Sequence, residues 1–350
     1  MGAPGSQDGD DPRWSRRVNL ALALGVFVAL CVVAECGTRV AVYAVFGSST
    51  RGMNEVFTYE PYLIHSDDER LHASHPDKGD RIRVVVVGGS TAEQMPSEFM
   101  EAALSRALKR PVEVINLAQG GYITTQEVIV LGLYGLKLKP DVVVTMDGVN
   151  DIVTMTKTGR TGIPYADGVV AAAVEHPFLN AFLAIGRHSQ FLNLLNKLSE
   201  RRREVQYQSD TRLTEETVDV YLRNLDAMSA MCRGIGAPHV RVLQPYMPLR
   251  ENRTEEEQNI ARRYSYRFDY IKRVFGEMDG RLKAVPPGVA YAGMLHCLDA
   301  VEGTRFVDEA HLVRQGYEDL ADCIGRSVEA SLESCSPSTG SRICLKSGRE

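Results

Sequence analysis

No group of cysteines and histidines in this chain has metal-ligand spacing, which excludes a zinc-finger type of structural site. Basic charge is not in excess either. The 40 Lys and Arg stand against 45 Asp and Glu, a net charge of -5, so no electrostatic footprint for nucleic acid is present. The one dense basic run, Arg201-Arg202-Arg203, is flanked by Glu200 and Glu204 and reads as a solvated helix face. No internal repeat and no low-complexity domain is evident, so a repeat architecture is excluded. The run Gly88-Gly89-Ser90-Thr91 lacks the lysine of a P-loop and the spacing of a dinucleotide fingerprint. Neither a cofactor nor a metal is implied.

What is present begins with an uncharged apolar stretch at 18–34, preceded by Arg13, Arg16 and Arg17. That is about the minimum length for a membrane span, and the basic flank places its amino end in the cytoplasm. The expected organisation is a cytoplasmic tail at 1–17, an anchor at 18–34, a linker and edge segment at 35–80, and an extracytoplasmic domain at 81–333. A loose tail occupies 334–350. A cleaved signal peptide is the rival, because Ser15-Arg16-Arg17 resembles a twin-arginine signal. Against cleavage, no small-x-small site follows and apolar character resumes at 40–46. Beyond Cys31 and Cys36 there are five cysteines, so at least one lacks an intrachain partner. Spacing leaves Cys335 with Cys344 and Cys297 with Cys323 both open.

The domain alternates in the α/β manner. Strands are expected at 82–87, 112–117, 141–145, 239–244 and 289–292, and helices at 97–109, 125–137, 215–232 and 255–278. This predicts an α/β three-layer sandwich, a central parallel sheet flanked by helices, with its site at the carboxyl ends of the strands. The interval 152–238 reads as a helical insertion. Within it, 176–185 and 189–198 are apolar at helical spacing, which predicts core or cap packing in preference to an acyl-chain groove. Tyr59-Glu60-Pro61-Tyr62 is expected to pack across the sheet edge.

Chemistry gathers where strands end. The β-branched run before Gly88-Gly89 should break into a tight turn that lifts the Ser90 hydroxyl clear of the sheet. Asp308 and His311, in Asp-Glu-Ala-His more than two hundred residues later, can complete a Ser-His-Asp set. Asn116-Leu-Ala-Gln-Gly120-Gly121 and Gly148-Val-Asn150-Asp151 each follow a strand and offer oxyanion donors. Taken alone, Asp308 reads equally well as an N-cap for a helix from about His311 to Ile324.

With Gly-Gly-Ser90-Thr, a glycine after Asn116, Asn150 in Gly-Val-Asn-Asp and His311 in Asp-x-x-His, in this order, the chain resembles the SGNH (GDSL-type) hydrolase superfamily. The resemblance implies a flavodoxin-like sheet, Ser90 as nucleophile, His311 as base and Asp308 as its orienting partner. It also implies an oxyanion hole from the Ser90 N–H, the Gly121 N–H and the Asn150 amide, with Gly120 competing with Gly121. Gly89 replaces the usual aspartate. The run Gly88-Gly89-Ser90-Thr91-Ala92 also nearly matches the α/β-hydrolase elbow. That fold places several strands before the elbow and its acid and histidine on separate loops, unlike this chain. The expected function is extracytoplasmic hydrolysis of an ester, an O-acetyl group on a carbohydrate or envelope glycan. An O-acyltransferase, a lipid esterase and a non-catalytic envelope glycan-binding protein are the alternatives. The partners implied are the acylated substrate and the membrane; oligomeric state is unreadable.

Overall fold

The computed structural model describes residues 12–46, 60–75, 77–165, 167, 189–286 and 288–330. The chain divides into two compact units, Met1–Glu55 with Ala172–Glu200, and Val56–Ala171 with Arg201–Glu350. Part of the expected insertion therefore groups with the amino-terminal helix.

All five expected strands form: β1 (Ile82–Gly88), β2 (Val112–Asn116), β3 (Val142–Asp147), β4 (His239–Leu243) and β5 (Val289–Gly293). Helices α1 (Pro12–Phe46) and α2 (Asp68–His72) precede β1, and α3 (Ser90–Glu93) and α4 (Ser97–Leu108) follow it. Next come α5 (Thr124–Val130) before β3, then α6 (Val149–Thr158), α7 (Gln190–Gln208) and α8 (Thr211–Gly234) before β4. Then α9 (Glu255–Tyr264) and α10 (Phe268–Leu282) precede β5, and α11 (Arg314–Ala330) follows it.

The strands pair in parallel in the order β2-β1-β3-β4-β5, the flavodoxin-like order of a doubly wound sheet. Every residue of β1 and β3 is buried, as a sheet covered on both faces requires. Alternation assigns the faces: Val84, Val86 and Val144 pack with Met100 and Leu104 of α4 and Leu320 and Ile324 of α11. Val85, Val87 and Val143 pack with Ile152, Tyr221 and Phe275 from α6, α8 and α10.

Several expectations need correction. The helix at 255–278 is broken by a tight 3-10 turn at Ser265–Arg267, because the Arg267 side chain turns inward to buried carboxylates. The 125–137 helix is α5 followed by a π turn at Leu131–Gly135 and a 3-10 turn at Leu136–Leu138. The helix expected from about His311 begins slightly later. Phe306 and Leu312 form an antiparallel bridge, and α11 starts at Arg314. Tyr62 is exposed, and it is Leu63 that enters the core, held by a turn in which Glu60 Oε2 accepts the N–H groups of Tyr62 and Leu63. Glu204, expected in solvent beside the basic run, is buried. Tyr59, the apolar run 176–185, Cys335, Cys344 and the tail 334–350 lie outside the described residues.

In the first unit, α1 runs on through Glu35 and Arg39, whose side chains pair at 2.7 Å one turn apart. The apolar helix long enough to cross a membrane is therefore Arg17–Ala41, 25 residues of mean hydropathy 2.4, a length and composition that suit an anchor and a signal sequence alike. The apolar stripe at 189–198, expected to be core or cap, is not covered: Leu194, Leu195 and Leu198 of α7 are exposed.

Of the two pairings left open, Cys297 with Cys323 is formed, and Cys232 is a buried free thiol. The bridge closes a loop of 26 residues and ties the segment after β5 to α11. Loops of this size raise stability by about 3 kcal/mol through the unfolded state. Replacing both cysteines by serine should lower the unfolding free energy by about that amount in urea titrations. An unchanged midpoint would show that the bridge contributes nothing.

Candidate active site

Three loops leave the sheet at the carboxyl ends of adjacent strands, and each carries one of the expected groups. β1 ends at Gly88, and Ser90 opens α3 two residues later. The first N–H groups of a helix have no intrahelical acceptor, so the Ser90 N–H is free of helical pairing. β2 leads to the turn at Gly120 and Gly121, where Gly121 has φ +81°, a left-handed conformation that favours glycine. β3 leads to Gly148 and Asn150, the latter in the first turn of α6.

The fourth segment comes from the other end of the chain. His311 Nε2 lies 2.7 Å from Ser90 Oγ, and His311 Nδ1 lies 2.7 Å from Asp308 Oδ2. The other carboxylate oxygen, Asp308 Oδ1, accepts the backbone N–H groups of Ala310 at 2.9 Å and His311 at 2.8 Å. Asp308 thus does cap backbone, but in its own loop. Its carboxylate fixes Nδ1 as the protonated ring nitrogen and leaves Nε2 to accept the serine proton. Burial would raise the Asp308 pKa, but hydrogen bonds from the His311 ring and from both backbone N–H groups bring it below the usual value. The His311 imidazole is raised, first by the hydrogen bond to Asp308 and against the effect of burial.

Of the expected oxyanion groups, Asn150 and Gly120 stand beside the serine turn, whereas a Cβ on Gly121 would meet only His65 Nε2, at 3.9 Å. Asn150 Nδ2 donates to Tyr122 O at 2.8 Å and lies directly over Gly89, where an added Cβ would sit 2.4 Å from it. Gly89 therefore makes room for the Asn150 amide beside Ser90. Gly120 faces Ser90, since a Cβ there would lie 3.8 Å from Ser90 Cβ and 3.0 Å from Glu93 Oε2. Asn116 binds the parts together, donating to Ala92 O of α3 at 2.7 Å and accepting from Ala118 N at 3.0 Å.

Residues that the sequence left unread hold this arrangement. Thr91 Oγ1 donates to Ala310 O at 3.2 Å and accepts from Gln244 Nε2 at 2.8 Å, joining the serine and histidine loops. Glu309 points away from the relay, into Arg267, whose Nη2 and Nε both reach its carboxylate, and Tyr246 OH donates to it at 3.1 Å. Arg267 also meets Glu204 at 3.3 Å. On the opposite side, His65 Nε2 lies 3.1 Å from Gly120 O, while Arg70 Nη1 donates to Ala118 O at 2.7 Å and lies 3.4 Å from Glu93. Of these, Thr91 and Glu309 stood inside blocks that carry a sequence signal, Gly-Gly-Ser-Thr and Asp-Glu-Ala-His.

Beneath Asn150, Asp151 accepts the Thr124 N–H at 3.2 Å and its hydroxyl at 2.6 Å, and Asp147 accepts from Tyr221 OH at 2.6 Å. Burial pushes Asp147 up to about 6 and Asp151 to about 7, and it raises Glu127 beside them strongly. Metal-ligand atoms come within 4.8 Å of one another at Glu251, His296 and Asp299, a surface group outside the relay in which His296 already pairs with Asp299 at 2.7 Å.

No protein-family model and no curated protein matches the chain. Among solved structures it is similar to an acetyl xylan esterase, at 14% identity and TM-score 0.39 over 71% of this chain and 100% of that one. A GDSL-like lipase from Bacteroides thetaiotaomicron is 13% identical with TM-score 0.40, over 75% and 95% of the two chains. A lipase from a goat rumen metagenome is 13% identical with TM-score 0.43, over 70% and 97%. Likeness at this level assigns no activity, and the chemistry rests on the side chains just described.

Asp308→Asn removes the carboxylate that raises His311 and leaves burial, which lowers it. The His311 pKa should then drop relative to the parent protein in an NMR titration of the ring protons, with the charges of Glu309 and Glu93 still raising it. An unchanged pKa would show that the hydrogen bond at Nδ1 does not set the imidazole's state.

Proposed function

We propose that the chain is a serine ester hydrolase of SGNH type, with Ser90 as nucleophile, His311 as general acid and base and Asp308 as the residue that orients it. The observation that carries this reading is the unbroken relay from Asp308 Oδ2 through His311 to Ser90 Oγ, with 2.7 Å at each step. In the forward direction Ser90 Oγ attacks an acyl carbonyl while Nε2 takes its proton. The oxyanion is received by the N–H of Ser90, the N–H of Gly121 or Gly120, and the Asn150 amide. His311 then protonates the departing alcohol, water takes its place, and the acyl-enzyme is cleaved by the reverse sequence of proton transfers.

We further propose that the domain works outside the cytoplasm, anchored by α1. The support is Arg13, Arg16 and Arg17 ahead of an uncharged span, together with the Cys297–Cys323 disulfide, which suits an oxidising compartment. In that setting an O-acetylated carbohydrate or envelope glycan is the substrate class proposed. A panel of acetylated sugars, longer acyl esters and lipids tests it, with acetylated sugars expected to turn over fastest. A reporter fused after Glu350 should be active outside the cytoplasm; activity only inside would overturn the placement.

Ser90→Ala and His311→Ala should each remove nearly all turnover from a folded protein, since members of such a set act as a unit. Asn150→Ala should lower kcat by about 100-fold with little change in KM. Gly89→Ala should lower kcat more than it lowers stability, because the new Cβ would lie 2.4 Å from the Asn150 amide and displace it, while the nearest backbone atom, Tyr122 O, is at an ordinary contact distance of 3.4 Å. Because His311 is raised, kcat/KM should fall with acid from a pH above the ordinary histidine pKa. Near-normal turnover in either of the first two variants would reject the assignment.

A further inference from the structure

We propose that the first two turns of α7 lie in the lipid surface beside α1, as a second membrane contact of the chain. This rests on α1 being a membrane anchor and goes beyond it. Phe191, Leu194, Leu195 and Leu198 stand at i, i+3, i+4 and i+7, one apolar stripe along the helix. In a soluble protein such a stripe faces the core. Here Leu194, Leu195 and Leu198 are 41%, 47% and 58% exposed, whereas Asn193 and Glu200, which share the opposite face, are partly covered. The helix is turned inside out for water and correctly for lipid.

The position of the stripe is fixed by Glu35. Its carboxylate accepts from Ser189 Oγ at 2.7 Å, from Gln190 N at 2.9 Å and from Phe191 N at 3.1 Å, so a residue of α1 caps the start of α7. From Val18, the first uncharged residue after the arginines, Glu35 stands about 26 Å along a helix that rises ~1.5 Å per residue. The hydrocarbon layer is about 30 Å thick, so Glu35 and its partner Arg39 fall close to its outer boundary. The capped end of α7 therefore starts at the level where headgroups meet acyl chains. The apolar side chains of α1 that lead up to this level, from Val18 to Val33, are themselves exposed. Lys197, also exposed, flanks the leucines and suits lipid phosphates. The Glu35 cap, which holds the start of the stripe at the end of the span, selects the bilayer as occupant in preference to a second copy of the chain.

The test places a fluorophore on the stripe. The chain has one tryptophan, Trp14, so W14F/L195W reports from α7 alone, and W14F/L198W is a second reporter should the first disturb folding. Full-length protein is reconstituted into phosphatidylcholine and phosphatidylglycerol vesicles with and without lipids brominated near the top of the acyl chain. W14F/L133W, at an exposed leucine before β3, is the control. The proposal expects the L195W and L198W emission to fall by about twofold or more with brominated lipid and the control to be unaffected. A protein that stays with the vesicles after carbonate washing while its α7 reporters are unquenched overturns the lipid contact and leaves the anchor standing. Blue-shifted emission that is unquenched and grows with protein-to-lipid ratio identifies a second copy as occupant and overturns it too. A protein washed off by carbonate overturns the anchor and the contact together.

Discussion

The site depends on one constraint, the parallel pairing of β1 with both β2 and β3. Val86 is level with Asn116 on one side and Gly88 with Met146 on the other. Three strands running in the same direction in this register deliver their chains at one edge within a residue or two of each other. In the order β2-β1-β3-β4-β5 that edge is also the point where successive connections pass to opposite faces, and there a crevice opens between loops. Ser90, the glycine turn and the Asn150 side chain are therefore neighbours before any specific contact among them is made. The Asn150 to Tyr122 hydrogen bond and the two contacts of Asn116 then convert neighbourhood into geometry.

The sheet does not supply His311, the proposed base. His311 lies in the loop that the Phe306–Leu312 bridge closes, just before α11, and its place is set by side chains that face away from the serine. Glu309 sits between Asp308 and His311 and is gripped by Arg267, itself shared with Glu204. Met247 N donates to Glu309 O at 2.9 Å, and Thr91 donates to Ala310 O from the serine side. Removing one partner of a buried ion pair typically costs about 3–5 kcal/mol, so this loop is costly to displace. The same demand explains why the helix expected over 255–278 breaks at Ser265–Arg267: a continuous helix does not satisfy the inward guanidinium.

The legible parts of the fold and the illegible ones differ in range. Strands such as Ile82–Gly88 are buried on both faces and so appear as unbroken β-branched runs, and Ser90, Gly121 and Asn150 are visible because each follows such a run. Asp308 and His311 were readable from their three-residue spacing. His65 and Arg70 were not. They come from a segment before β1 with no periodicity, and their role consists of bonds to Gly120 O and Ala118 O, some fifty residues away in sequence. The Arg267 break and the buried Glu204 were hidden for the same reason, because a charge within a helical pattern reads as solvated unless its partner is known. The apolar stripe of α7 misled in the opposite direction, since helical spacing reports that a face is apolar and says nothing of whether protein or lipid covers it.

The most direct measurement of the central claim is covalent trapping by a fluorophosphonate, which reacts with a serine only when its oxygen is activated and an oxyanion site receives the phosphoryl group. The account predicts stoichiometric labelling at neutral pH, a mass-mapped adduct on the peptide containing Ser90, and a labelling rate that declines with acid as His311 is protonated. Folded protein that is not labelled, or is labelled at a serine other than Ser90, would contradict it.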